Sequence, residues 1–507
     1  MSIFSQVQLR KPRYNTFDLS HTKKLSTKIG RLTPVLCTDL VPGDSVKLSS
    51  ASMMRFAPLV APVMHRFDVY IHYFFVPNRI MWPNWEKFIT GGPEGDDTTV
   101  PPYFILDEGL DEGSNGDYLG LPTHTVGSTP LQVSAFPING YERIFSEYYK
   151  DQNVIDFEPA DLNDGGQLSA DRYNAQPFKR AWKKDYFTSA LPWTQRGPEA
   201  TIPLGAVDVF TVQEDSAGTD WPAGSAILSN PVDKPGTFYV ADTTPRTDLQ
   251  GDVDPTSIND LRRAFRLQEF LEKNARGGAR YTEVVLSHFG VKSSDARLQR
   301  PEFIGGSKTP VQISEVLQTS GSPADETTGY TPTPQGNMSG HGISVGGSQT
   351  FAYRAEEHGY LYAIMSVMPQ PAYQQGVPRH FSRLDKLDYY WPSFANIGEQ
   401  PIADQELFYD PDGGENNQDI FGYTPRYAEY KYIPSTVHGD FRSTLDFWHA
   451  GRIFATKPAL NGTFIQCDDT EVERIFAVTD GSDKLWCQVA HNIKARRPMP
   501  YFGTPSI

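Results

Sequence analysis

Three cysteines in 507 residues, Cys37, Cys467 and Cys487, with no Cys-x-x-Cys pair, leave neither a disulfide framework nor a zinc site to organise this chain. Reduced, structural thiols are expected. No run of eighteen apolar residues occurs, and the first fifteen residues lack the apolar core of a signal peptide, so we expect a soluble chain, not exported by that route and with no membrane insertion. The eleven histidines include no His-Glu-x-x-His and no tight pair, and His65 and His72 fall on opposite faces of one strand. The acidic clusters lack the ordered Asp/Asn, Gly and Glu spacing of a calcium loop. Neither a metal site nor a cofactor is expected.

Enzyme signatures are equally thin. The segment 342–346 (GISVG) matches Gly-x-Ser-x-Gly but sits in a Gly/Ser-rich stretch with no following helix, so the strand-turn-helix elbow is missing. Residues 305–309 (GGSKT) imitate a phosphate loop only loosely, because Ser307 stands where a glycine must precede the lysine; a turn is expected there. No catalytic residue is assigned.

What the chain has in abundance is Pro (40), Gly (42), Tyr (25) and Phe (30) with few long helical patterns, which reads as many short strands joined by long turns. The class is mainly β. Length alone leaves the domain count open, since a single all-β architecture with long loops can run this far.

The most informative stretch is 65–92 (HRFDVYIHYFFVPNRIMWPNWEKFITGG). Phe67, Val69, Ile71, Tyr73 and Phe75 alternate with Asp68, Tyr70, His72, Phe74 and Val76, and both faces turn apolar toward the end. A strand apolar on both sides is covered on both sides. Pro77 and Asn78 stop it, and the connection that follows carries Trp82, Trp85 and Phe88, an apolar load that needs a cover. Residues 358–368 (HGYLYAIMSVM) form a second doubly covered strand, and two such strands imply a sandwich. Alternation recurs over 423–434, 472–478 and 485–493. A short surface helix is expected over 141–152, and a longer one from a Ser257 cap through Ile258, Leu261, Phe265 and Leu271 to Gly277 and Gly278. No fixed-period repeat is present.

Charge is unevenly spread. The net charge is −15, yet residues 94–117 hold eight acidic and no basic residues, and 203–260 hold ten acidic and two basic, so the remainder is close to neutral. Such Gly/Pro/Asp-rich segments read as solvent-facing loops. The opposite bias lies in an extended arm over 1–34, where Arg10, Lys11, Arg13, Lys23, Lys24, Lys28 and Arg31 face only Asp18, and at the C-terminal arm 494–507 with Lys494, Arg496 and Arg497. Residues 172–193 interleave Lys179, Arg180, Lys183 and Lys184 with Phe178, Trp182 and Tyr186, a mixture suited to single-stranded nucleic acid. The plainer reading is a basic shell snorkelling over aromatics.

Several long, colinear segments carry a resemblance: 75–92, 184–193 (KDYFTSALPW), 271–306 (LEKNARGGARYTEVVLSHFGVKSSDARLQRPEFIGG), 394–400 (FANIGEQ) and 421–435 (FGYTPRYAEYKYIPS). Together with the N-terminal RYNTFDLSHTKKLSTKIGRLTPV and the closing RRPMPYFGTP, they are similar to the major capsid proteins of the Microviridae, small single-stranded DNA phages, in their gokushovirus-like branch. Departures concentrate in 195–256 and 319–349.

The resemblance implies an eight-stranded antiparallel jelly roll, a viral capsid β-sandwich with long inter-strand insertions and a few short helices, over 1–507 as a single domain. It implies self-assembly into a T=1 icosahedral shell around a circular single-stranded DNA genome, with no enzymatic activity. Trp82, Trp85, Phe88, Tyr389, Tyr390 and Trp391 are then expected to be buried between subunits. The acidic insertion 197–256, with Asp215, Asp220, Trp221, Asp233, Phe238 and Tyr239, takes the place of the family's three-fold protrusion, which is thought to touch the host. Arg10, Lys11, Arg13, Arg496 and Arg497, with Lys179, Arg180, Lys183 and Lys184 behind them, are the expected DNA-facing residues; ties to carboxylates on neighbouring subunits are the competing role. A small basic DNA-binding virion protein, scaffolding and pilot proteins, and a host surface receptor are the further implied partners, in a virion assembled in the bacterial cytoplasm. A carbohydrate-binding or hydrolysing jelly roll is the alternative from another class.

Overall fold

The computed structural model describes residues 13–106, 109–123, 130–167, 171–198, 258–278, 280–319, 336–414 and 416–502, with the short strands Leu228–Ser229 and Tyr239–Val240. The chain divides into two compact units, one of Met1–Thr194 with Gly278–Ile507 and one of Gln195–Gly277.

Within the larger unit the two doubly covered strands are neighbours. Phe67–Pro77 pairs antiparallel with Gly359–Pro369, and Glu302–Pro310 and Thr33–Leu40 complete a four-stranded sheet on either side. A seven-stranded antiparallel sheet faces it. Leu485–Arg497 and Ser45–Phe56 run side by side at its centre; Asn15–Asp18 and His21–Thr27 add to the first, and Met338–Gly347 with Phe351–Arg354 to the second. Gln312–Leu317 closes the far edge on Met338–Gly347. The mainly β class and the sandwich expected from sequence are both present.

Period-two patterning explains how the sheets meet. Ser45–Phe56 alternates exposed and buried residues along almost its whole length, sending Val46, Leu48, Met54 and Phe56 inward against Phe67, Val69, Ile71, Tyr73 and Phe75. The other face of the four-stranded sheet is covered too. Phe74, Val76, Tyr362 and Ile364 pack into a second core with Trp82, Phe104, Phe136, Ile138, Tyr141, Ile144 and Phe145. A third cluster gathers Tyr186, Phe187, Tyr373, Phe421 and Phe464.

Three expectations need correction. The 141–152 surface helix is instead Phe136–Ile144 continued by a π-turn over Phe145–Tyr149, and its apolar face is buried in the second core, because Tyr141, Ile144 and Phe145 join Phe136 and Ile138 there. The alternation over 472–478 forms no strand: Asp469–Glu471 and Glu473–Ile475 are 3-10 turns that aim Val472 and Ile475 inward. The segment 423–434 is strand only over Ile420–Pro425, because Tyr427 adopts a left-handed φ of 62° and opens the 3-10 turn Ala428–Tyr430.

In the smaller unit the helix Ile258–Gly277 follows its sequence pattern; its expected cap, Ser257, lies outside the described residues. Leu228–Ser229 and Tyr239–Val240 form an antiparallel pair.

Candidate functional site

The predicted aromatic contacts fall into two groups that behave differently. In the connection after Phe67–Pro77, Trp82 is fully buried within its own subunit, its indole Nε1 donating to Asp164 Oδ1 at 2.8 Å and its ring packed on Phe88 and Phe136. Its cover is intramolecular, which corrects the expectation that a neighbour supplies it. Trp85 and Phe88 are half-buried: Trp85 meets Phe136 edge-on at 5.7 Å and His358 at 5.6 Å. The reason is the second core, whose helix Phe136–Ile144 fills the space above the strand end.

Tyr389, Tyr390 and Trp391 are the opposite case. Each is about half exposed; Tyr430 packs on Tyr390, and Leu384, whose backbone amide is tied to Asp388, is almost wholly exposed. Sequence reading missed Leu384 and Tyr430, although Leu384 lies in a segment with no strand or helix period to bury it.

The surface is ordered despite its exposure. Tyr390 packs edge-on against Tyr427 at 4.9 Å and Tyr430 at 6.1 Å, and the Arg383 guanidinium sits 4.1 Å from the Tyr430 ring centroid while reaching Glu429 at 3.5 Å. Trp391 donates from its backbone to the Tyr427 hydroxyl at 3.2 Å and from Nε1 to the Lys386 carbonyl at 2.8 Å. The backbone amides of Leu384 and Asp385 donate to Asp388 at 2.9 and 2.8 Å, and amide donation, from Asp385 foremost, holds that carboxyl below its ordinary value. A prearranged apolar surface loses little conformational entropy when something docks on it.

Of the basic residues singled out, Arg10 and Lys11 lie outside the described residues. Arg180 turns inward: it donates to Ser366 Oγ at 2.7 Å and lies 4.3 Å over the Tyr70 ring, so its place is structural and the DNA-facing expectation is corrected for it. Lys179 pairs with Asp468, Lys184 with Asp151, and Arg497 with the buried Asp44, at 3.1 Å in the last case. These carboxylates belong to the same chain. Arg13, Lys183 and Arg496 remain exposed. Arg496 and Arg497 belong to the long strand Leu485–Arg497. Of the insertion residues, Asp215, Asp220, Trp221, Asp233 and Phe238 lie outside the described residues, and Tyr239 begins a two-residue strand.

The enzyme-like motifs resolve into packing. Ser344 lies inside the strand Met338–Gly347, buried, donating to the Pro310 carbonyl at 3.1 Å. Gly305 and Gly306 are in a strand too, not the expected turn, paired with Tyr73 and His72; a Cβ at either would collide with Phe351 or His72, which accounts for the glycines. Among the described residues no group of three His, Cys, Asp or Glu side chains is arranged to hold a metal, and no helix is long and apolar enough to cross a membrane.

Sequence comparison fits a molecule whose features are surfaces. A model of the family described as capsid protein (F protein) matches residues 5–507. Capsid protein VP1 of Chlamydia phage 1 is 34% identical, with 99% of this chain and 97% of that protein covered. The VP1 of Bdellovibrio phage phiMH2K is also 34% identical at the same coverage, and that of Spiroplasma virus 4 is 29% identical over 96% of this chain and 94% of its own. With the sandwich, the exposed aromatic surface and a full-length match in hand, the chain belongs to the capsid protein (F protein) family of the Microviridae.

Proposed function

We propose that this chain builds a T=1 icosahedral shell around a circular single-stranded DNA genome. As a member of the capsid family it is a structural, non-enzymatic protein of the virion. The observation that carries the assembly reading is the ordered, exposed surface of Tyr389, Tyr390, Trp391, Tyr430 and Leu384: a lone subunit gains nothing from leaving it in water, and a second copy of the chain covers it. Trp85 and Phe88, half-buried, extend the same role. Two facing antiparallel sheets support an eight-stranded jelly-roll frame whose added strands come from insertions.

The acidic insertion 197–256 is the host-attachment protrusion at the three-fold axes in this reading. Its lying wholly within the smaller unit, Gln195–Gly277, supports that role. The exposed Arg13, Lys183 and Arg496 face the genome, and a small basic virion protein, scaffolding and pilot proteins, and a host receptor are the partners.

Electron microscopy of the protein, expressed alone and with its partner proteins, tests the shell: closed particles are expected, and soluble monomers under every condition would overturn it. Replacing 205–254 by a short Gly/Ser linker should leave particles intact and abolish attachment.

A further inference from the structure

The solvent face of the seven-stranded sheet has a composition unlike the rest of this acidic chain. Register places Lys494 directly opposite Lys47, and Arg496 opposite Ser45, between the two central strands. Lys24 lies across from Gln488, Arg354 from Ser45, and Arg55 from Trp486. All six cations are exposed. The one carboxylate this register brings to the same face is Asp18, across from Lys494. The rest of the face between these strands is small: Thr16, Thr22, Ser26, Ser45, Ser49, Gln488 and Asn492, with Ala51 opposite Ala490; a second carboxylate, Asp483 from outside the sheet, reaches its edge by accepting from Ser26 Oγ at 2.6 Å.

Like charges directly opposite on an antiparallel pair destabilise it. Lys47 and Lys494 nevertheless face each other at the centre of the sheet, and among the described residues none of the six cations forms an ion pair. Arg496 rests over the exposed Tyr14 ring at 5.0 Å instead. At the other end of the face, ten residues and so about 34 Å along the strand from Arg496, Trp486 stands half exposed beside Arg55, with Met53 and Val345 exposed next to it. Cations for phosphates and a flat apolar end for bases are the two components of a single-strand binding surface.

We infer that the outer face of the seven-stranded sheet binds single-stranded polynucleotide, with Lys24, Lys47, Arg55, Arg354, Lys494 and Arg496 on phosphates and Trp486 stacking on a base. This deepens the shell reading by naming the genome-facing surface, and it rests on that reading for the identity of the polyanion. An acidic peptide would satisfy the cations but not the apolar end.

The test uses the full-length chain as dissociated subunits and fluorescent (dT)20 titrated at several salt concentrations. The K47Q/R55Q/K494Q triple variant should bind more weakly, with the slope of log K against log salt shallower by about 2, at roughly 0.7 for each phosphate no longer neutralised. W486A should weaken binding roughly tenfold with an unchanged slope. A control triple at exposed positions elsewhere, R262Q/R263Q/K292Q, should leave both quantities as they are. An unchanged slope in the first triple, equal effects from the two triples, or a first triple that loses binding to phosphatidylglycerol vesicles while still binding (dT)20 would overturn the inference. Particle formation is scored separately by microscopy. Shells from subunits that do not bind (dT)20 refute this surface alone, and (dT)20 binding without shells refutes the shell alone.

Discussion

The imidazole of His491 joins the two sheets: its Nε2 donates to the Val35 carbonyl at 3.0 Å, and its Nδ1 lies 2.7 Å from the Ser50 hydroxyl. His491 is in the seven-stranded sheet and Val35 in the four-stranded one, so a neutral ring with a defined tautomer sits at the seam. Burial holds its pKa at about 4, against an ordinary 6.5, and burial does the same to His65 and His72.

Acid sensitivity follows from that depression. Above pH 7 both folded and unfolded chains hold these rings neutral, and stability is constant. Between 6.5 and 4 the unfolded chain takes up protons that the folded chain refuses, so stability falls as pH drops through that window. Thermal unfolding at pH 7.5 and 4.5 should show the loss, and H491Q should lower stability at pH 7.5 by about 1 to 3 kcal/mol while shrinking the acid-induced drop. A drop of undiminished size in H491Q would show that this ring does not titrate with folding.

The tryptophans should separate by assay. Trp82→Ala is expected to cost about 3 to 5 kcal/mol of subunit stability in urea unfolding, since it empties a fully buried site; the exposed Asp164 keeps its bonds from the Asn84 amide. Trp391→Ala with Leu384→Ser should change subunit stability by less than about 1 kcal/mol and block particle formation. The reverse pattern would place the assembly surface elsewhere.

Arg452 is almost fully buried, bidentate on Glu471 at 2.9 and 3.0 Å and lying over the rings of Phe464, Trp182 and Phe454. Arg452→Ala should cost about 3 to 5 kcal/mol, because it removes both the packing and the partner of a carboxylate. Adding Glu471→Gln should restore part of that loss, measured as a coupling in a double-mutant cycle.

Gly30 holds a φ of 80°, and a Cβ there would fall on the Cys467 carbonyl. Gly30→Ala should destabilise by about 1 to 3 kcal/mol, from left-handed strain and overpacking together. Unfolding midpoints at equal denaturant slopes provide the check.

The sandwich was legible because Phe67–Pro77 and Gly359–Pro369 are apolar on both faces, and only a central strand needs that. Trp82 was misread because its cover, the helix Phe136–Ile144, is far from it in sequence, and local pattern does not report which distant element returns to a strand end. The basic sheet face escaped for the same reason. Lys47, Arg55 and Arg354 stand singly along the chain, while Lys24 and Lys494 belong to the two basic arms, and only strand register gathers them on one face. Charge runs such as 179–184 drew notice instead, yet Lys179 and Lys184 turn out to be paired and Arg180 enclosed.

The central position of Leu485–Arg497 also sets a clock. Asn15 pairs with Arg497, and Ser45 with Arg496. At ribosomal rates of about 5 to 20 residues per second, Asn15 waits roughly half a minute to a minute and a half for its partner to be made. During that interval Ser45–Phe56 has an open edge where its longest neighbour will lie, so the early chain must be kept from pairing with other chains until synthesis has nearly finished. Subunits folding close together on one message are therefore most vulnerable to mispairing before they are competent to assemble.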